Sequence, residues 1–196
     1  MEQKQYQQII RILNQELVPA LGCTEPIAIA YASAKAREVL GTMPEHITAR
    51  CSGNIIKNVK GVIVPSTGNM RGIETSAVLG AVAGNADAKL EVLESVTEED
   101  VAKTKEYLEQ HICDVALIPN GANLQIIIEA KAGKEQVEVE IRDQHTNIVR
   151  IQKNGKILLK KNVQEGKEAQ VPVCSLTLQE IYEFANEVNI ADVREV

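Results

Sequence analysis

The residues with the clearest chemical potential are gathered in Ala20-Leu21-Gly22-Cys23-Thr24-Glu25-Pro26. Thr24 is a good N-cap, Pro26 is tolerated in a first turn, and the run from Ile27 to Leu40 reads as helix, so Cys23 stands one residue before a helix start. Unpaired N–H groups and the positive end of the helix dipole are expected there to lower the thiol pKa and favour the thiolate, the form that binds metals. The plainer alternative is a small apolar residue tucked under a turn. Glu25 could act as a base, although a carboxylate at a helix N-terminus first serves the dipole.

Three further stretches carry candidate groups. In Ser52-Gly53-Asn54-Ile55-Ile56-Lys57-Asn58-Val59, Lys57 could pair with a substrate carboxylate while Ser52, Asn54 and Asn58 orient polar groups; the alternative is a turn with a solvated lysine. Val64-Pro65-Ser66-Thr67-Gly68 leads into a loop, Ser66 to Gly72, that opens onto a helix from Ile73 to Gly84. Backbone N–H groups in such a loop can hold an anion, here a substrate carboxylate, with Thr67, Gly68 and Thr24 expected to line the pocket. An ordinary strand-to-helix turn would look the same. His145, in His145-Thr146-Asn147-Ile148, could exchange a proton near neutral pH or orient a ligand alongside Asn147, although a lone histidine at a strand edge is usually structural. His46 and His111 have only structural contexts.

The heptapeptide with its continuation Ile27-Ala28-Ile29-Ala30-Tyr31-Ala32, the Ser52–Val59 block with Val64–Gly68, and His145–Ile148 together resemble the L-cysteine desulfidase family, a branch of the iron–sulfur serine dehydratase group. The resemblance runs from Ala20 to Ile148. Members of that family are considerably longer, with a mostly helical C-terminal half. The resemblance implies α,β-elimination from L-cysteine or L-serine, giving pyruvate, ammonia and hydrogen sulfide or water, with a [4Fe–4S] cluster and no pyridoxal phosphate. By the same resemblance Cys23 is one of three cluster cysteines and the other two lie outside this chain. A His-Thr pair takes the place of Cys23-Thr24 in serine dehydratases, which leaves an acid/base role for Cys23 as a lesser alternative. The expected partners are a small amino-acid substrate and the C-terminal half of the same protein, with a homodimer left open. A different class of function, a free-standing amino-acid-binding or regulatory module without catalysis, is the competing reading.

Composition narrows the field. With 27 acidic against 21 basic residues the net charge is −6, and rings are few, Phe184 and four tyrosines, which argues against a nucleic-acid surface. No window approaches the roughly 18 consecutive apolar residues of a membrane span, and Met1 to Arg11 lacks a signal-peptide core. A cytoplasmic protein with reduced thiols is expected. Cys23, Cys51, Cys113 and Cys174 stand 28, 62 and 61 positions apart, so no local pair can nucleate a metal site.

These groups need a scaffold. Helical spacing over Glu2 to Val18, closed by Pro19, predicts a first helix, and an alanine-lined second helix ends at Gly41. Ile47, Ala49 and Cys51 alternate as in a strand with Cys51 inward, and Gly61 to Val64 reads as a second, buried strand. Thr97-Glu98-Glu99-Asp100 announces a capped surface helix. Strand-like runs at 115–118, 124–130, 137–141, 148–151 and 157–159, joined by short turns including Asn154-Gly155, predict an antiparallel sheet. After a polar loop from Lys160 to Pro172, Thr177 caps a last helix with an apolar stripe of Ile181, Phe184, Ala185 and Val188. The expected fold class is α+β, helices packed on a mainly antiparallel sheet, with a domain over 1–175 and a linker or interdomain helix starting in 176–196.

Overall fold

The computed structural model describes residues 1–17, 19–161 and 176–194. Cys174 and most of the polar loop expected from Lys160 to Pro172 lie outside the described residues. The chain divides into two units, Ala20–Asn162 and a second made of Met1–Pro19 with Val163–Val196.

In the larger unit, helix α2 (Thr24–Leu40) is followed by strand β1 (His46–Cys51), helices α3 (Gly53–Val59) and α4 (Gly72–Ala83), a 3-10 turn (Ala86–Glu91) and helix α5 (Glu98–Glu109). Strands β2 (Cys113–Leu117), β3 (Gln125–Ala132), β4 (Glu135–Arg142), β5 (Ile148–Lys153) and β6 (Lys156–Lys160) complete it. The six strands form one sheet in the order β2-β1-β3-β4-β5-β6. Every pairing is antiparallel except β1 with β2, which is parallel and spans α3, α4 and α5 as its crossover. The architecture is α+β, as period-two runs and short turns predict. The Asn154-Gly155 link between β5 and β6 has φ of 50° and 79°, the left-handed pair that a two-residue hairpin requires.

Alternation decides which face of the sheet is covered. Ile47, Ala49 and Cys51 of β1, Ile126, Ile128 and Ala130 of β3, and Val137, Val139 and Ile141 of β4 are all buried on the side where α2 packs. Cys51 is thus an inward core residue. The opposite face is polar and cross-linked: Arg50 bridges Glu129 at 2.9 Å and Glu138 at 3.3 Å, Arg150 pairs with Glu138 and lies 3.3 Å from Glu140, and Gln125 donates to Glu140 at 2.8 Å.

Helix α2 has no solvent face along most of its length, because the sheet lies on one side and α4 on another. Its alanines are explained by that crowding. A Cβ at Gly80 of α4 would fall 2.3 Å from the Ala30 carbonyl oxygen, so only glycine lets the two backbones approach this closely. At the far end, Gly41 takes the left-handed C-cap (φ 88°) and the Lys153 ammonium donates to the Val39 and Leu40 carbonyls at 3.0 and 3.3 Å.

One expectation changes. Gly61 to Val64 does not form a strand: one isolated bridge, Ile63 with Arg71, is all the pairing it makes, because Val64 and Met70 close a loop over Thr67 instead. Most of the Ser52–Val59 block, for whose start a turn is the alternative reading, forms helix α3, anchored by buried Ile55 and Val59 one helical turn apart.

The smaller unit pairs α1 (Gln3–Glu16) with α6 (Leu178–Glu187), the latter opened by a Thr177–Glu180 capping box. The Tyr6 and Phe184 rings lie 5.4 Å apart, and the Tyr6 hydroxyl donates to Asp192 at 2.7 Å while accepting from the Asn189 N–H at 3.0 Å. Gln5 donates to Glu180, and the Met1 ammonium meets Glu187 at 3.0 Å. No helix among the described residues is long and apolar enough to cross a membrane.

The α2–α4 contact generates a direct test. Gly80→Ala must push the helices apart or bend one of them, an overpacking cost of about 1–3 kcal/mol, and thermal unfolding of the variant should start correspondingly earlier. Wild-type stability in that variant would mean that the helices do not touch at Gly80.

Candidate functional site

One end of the sheet collects the candidates. The register places the C-terminal end of β1, the N-terminal end of β3 and the C-terminal end of β4 side by side, with Cys51 opposite Ile126 and Ile126 opposite Ile141. Helix α3 leaves from β1 there, the β4–β5 turn closes there, and α2 brings its N-terminus to the same end.

The loop before α2 is fixed from two sides. The Leu21 N–H donates to the Leu90 carbonyl at 3.3 Å, and a Cβ on Gly22 would stand 3.0 Å from the Pro65 side chain. Helix α2 begins at Thr24, which makes Cys23 rather than Thr24 the N-cap, and no side chain caps the first turn. The Thr24 hydroxyl turns instead to Glu25, donating to Oε2 at 3.3 Å.

Glu25 is the centre of the cluster. Its Oε2 also accepts from Cys23 Sγ at 3.3 Å, and its Oε1 accepts from Asn58 Nδ2 of α3 at 3.1 Å. Burial alone would raise its pKa, but the hydrogen bonds from Cys23, its own backbone N–H and Asn58, with the nearby His145, outweigh it and hold the carboxyl below the usual range. The same contact acts on the thiol in reverse. Partial burial first, then the hydrogen bond and charge of Glu25, push the Cys23 pKa up, not down as the helix N-terminus led us to expect. Burial and the anion two residues along the helix together outweigh the helix N-terminus.

His145 reaches the cluster from the β4–β5 turn. That turn is held by the Asn147 amide donating to the Arg142 carbonyl at 3.0 Å and by Lys161 donating to Asn147 at 2.9 Å. The imidazole is half-buried, and its Nε2 is buried with no hydrogen-bond partner among the described residues. Desolvation lowers its pKa below the ordinary 6.5, only partly opposed by Glu25, so the ring is neutral at physiological pH.

The structure therefore brings together Cys23, Thr24, Glu25, Asn58 and His145. The other candidates have different duties. Ser52 is buried, donating to the Asn123 carbonyl at 3.0 Å and accepting from the Gln125 N–H at 3.4 Å, so it joins α3 to the start of β3. Thr67 is buried and spans its own loop to the Val64 and Met70 carbonyls, and Gly68 supplies a left-handed φ of 76° in it. Asn147 shapes the turn that carries His145. Asn54 and Lys57 are exposed on α3, without hydrogen bonds to the cluster. Asn58 was legible as a polar candidate; its pairing with Glu25 had no local signal.

As a metal centre the described residues are incomplete. Among them no group of three His, Cys, Asp or Glu side chains could hold a metal ion. Cys51 and Cys113 sit in the sheet, where burial pushes both thiols up to about 12. Cys23 is exposed and beside the cluster, so its sulfur fits a single ligand position in a site completed from elsewhere.

Comparison with known proteins gives the chain its relatives. It is 47% identical over 191 residues to a UPF0597 protein of Lachnoclostridium phytofermentans, covering 97% of this chain and 46% of the relative. A UPF0597 protein of Finegoldia magna is 47% identical over 186 residues, covering 94% of this chain and 45% of the relative, and one of Treponema denticola 43% identical over 195, covering 98% and 45%. The chain is similar to UPF0597 proteins. It spans about half the length of these curated relatives. No family model and no solved structure matches.

These relatives correct the family expected from the motifs. Sequences that match over nearly the whole chain carry the UPF0597 name, which states no activity, and not that of the L-cysteine desulfidase or serine dehydratase group. The three blocks are short and rich in Ala, Gly, Ser and Asn. Several of their residues are set by loop closure, close approach and turn geometry, which do not depend on ancestry.

The Glu25 contact can be measured at the thiol. Glu25→Gln removes a charge that, beside burial, helps hold Cys23 protonated, so iodoacetamide should alkylate Cys23 faster at a fixed pH near 8 than in the wild type, read by peptide mass spectrometry. Cys51 and Cys113 should stay unlabelled in both proteins until they unfold. An equal or slower Cys23 rate in the variant would remove Glu25 from the thiol's surroundings.

Proposed function

We propose that this chain is one half of a lyase that performs α,β-elimination on L-cysteine or L-serine, with Cys23 contributing one ligand to a [4Fe–4S] cluster whose other ligands come from the rest of a longer protein. What supports the reading is the convergence of Cys23, Glu25, Asn58 and His145 from three separated stretches into one cluster of mutually hydrogen-bonded or electrostatically coupled groups. Perturbed titratable groups gathered in one place mark functional sites more often than scaffolding does.

A bound cluster would supply a Lewis-acidic iron for the leaving group and the carboxylate. The remaining work belongs to the chain. His145 is neutral and its Nε2 has no partner among the described residues, the state required of a base that takes the Cα proton. Loss of that proton and of thiolate or hydroxide from Cβ leaves an aminoacrylate. Its imine tautomer takes up water and releases ammonia and pyruvate. With serine the water lost equals the water consumed; with cysteine one water is used and hydrogen sulfide leaves.

The test is pyruvate formation by the full-length, iron-loaded protein given L-cysteine or L-serine. His145→Gln should lower the rate by about 10²-fold or more while the protein remains folded. Because burial lowers the His145 pKa, the base is lost only on the acid side, so kcat/KM should stay level above pH 6.5 and fall below it. No pyruvate from either amino acid would overturn the reading and favour a binding module.

A further inference from the structure

Helix α6 is apolar over more of its circumference than α1 covers. Leu178, Ile181, Tyr182 and Ala185 follow one another at the i, i+3, i+4, i+7 spacing that lines one side of a helix. Phe184 extends that surface at its border, and there it is closed: Phe184 is buried, its ring 5.4 Å from Tyr6 of α1. The stripe itself is open. Leu178 is 87% exposed, Tyr182 68% and Ile181 47%, and Ala185 is exposed beside them. Glu180, Glu183 and Glu187 occupy the opposite side of the helix, where Glu180 closes the capping box and Glu187 meets the Met1 ammonium.

Single exposed apolar residues are ordinary, but a contiguous row with a polar margin marks a contact surface. Gln179 and Asn186 form the margin on the side away from Phe184. Gln179 donates to Glu183 at 2.9 Å and Asn186 to the Tyr182 carbonyl at 2.7 Å, so both amides are engaged on their own helix and ask no hydrogen bond of a partner. The stripe therefore fits an apolar groove.

Size decides what supplies that groove. A helix of 10 residues is about 15 Å long. Four side chains over that length fall short of the roughly 800 Å² per partner on which free molecules associate stably, which argues against a second copy of the chain. The requirement falls when both surfaces belong to one covalent chain, because tethering raises their effective concentration to about the millimolar range. The relatives have such a tethered part: this chain matches 46% of one and 45% of two others, so more than half of each lies outside the matched stretch.

We propose that the apolar stripe of α6 is the surface on which the remainder of the full-length protein docks, through an apolar groove of its own. The docking surface stands whatever reaction the protein performs.

Two measurements on the full-length protein test it. In the wild type, hydroxyl-radical oxidation of Leu178 and Tyr182, read by peptide mass spectrometry, should be at least about 5-fold slower than in the urea-unfolded protein, as for side chains at the dry centre of an interface. Oxidation at nearly the unfolded rate would mean that the stripe stays in water, and overturns the proposal. Tyr182→p-benzoylphenylalanine then identifies the occupant. On irradiation this variant should form an intramolecular cross-link to a peptide outside residues 1–196. A cross-linked dimer would assign the stripe to a second copy, and a link into residues 20–161 would assign it to the larger unit; either result, or a folded variant that forms no link outside this chain, overturns the proposal. The oxidation measurement needs no variant, so it decides the matter if the substituted protein does not fold.

Discussion

The close approach of two helix backbones governs this structure. Gly80 on α4 lies against the Ala30 carbonyl of α2, and Gly84 and Ala34 repeat the contact one turn further along. With α4 on one side and the sheet on the other, α2 has almost no freedom to shift. Its C-terminal end is tied by Lys153 to β5. Its N-terminal end must therefore arrive at one place at the rim of the sheet, and Cys23, Thr24 and Glu25 arrive with it. A site on the first turn of a mobile surface helix would have loose geometry; here the helix is part of the core.

Glu25 then organises what surrounds it. One carboxylate takes hydrogen bonds from its own helix, from the loop before it and from α3, and it faces His145 across the end of the sheet. The two titratable neighbours respond in ways that follow from burial and charge sign. The thiol is kept protonated first by partial burial and then by the hydrogen bond and charge of Glu25, and the imidazole is kept neutral because water is partly excluded. The arrangement holds an anionic carboxylate and two uncharged but reactive groups within one small region.

Local chemistry explains which parts of this could be seen in the sequence. Strand β4 alternates cleanly, β3, β5 and β6 are short apolar runs joined to it or to one another by short turns, and Asn154-Gly155 can hardly do anything but reverse the chain. The Thr97 and Thr177 caps and the alanine stripe of α2 are equally local. Helix α3 was hidden because two asparagines, two isoleucines and a valine in seven residues are weak helix formers, and its stability comes from burying Ile55 and Val59. The parallel pairing of β1 with β2 joins residues more than sixty positions apart, with no turn to announce it. For the site, Cys23, Glu25, Asn58 and His145 were each visible as reactive types. Their meeting depends on sheet register and on the angle of α2, which no short pattern encodes. The direction of the Cys23 shift was misread for a related reason, since the dipole is visible in a sequence and the rotamer of Glu25 is not.

The charged ladder on the open face of the sheet bears on how the strands find their partners. A sheet covered on one side only is held in register chiefly by its apolar face, and slippage by two residues would still present apolar side chains to the helices. Arg50, Glu129, Glu138, Glu140 and Arg150 remove that degeneracy. In the native register Glu129 of β3 stands directly opposite Glu138 of β4, and the Arg50 guanidinium reaches both carboxylates, so the two like charges are accommodated where that arginine lies beside them. The solvent face thus works as a vernier for the buried one, and since His145 hangs from the end of β4, it is this outer pattern of charge that fixes how far the imidazole reaches.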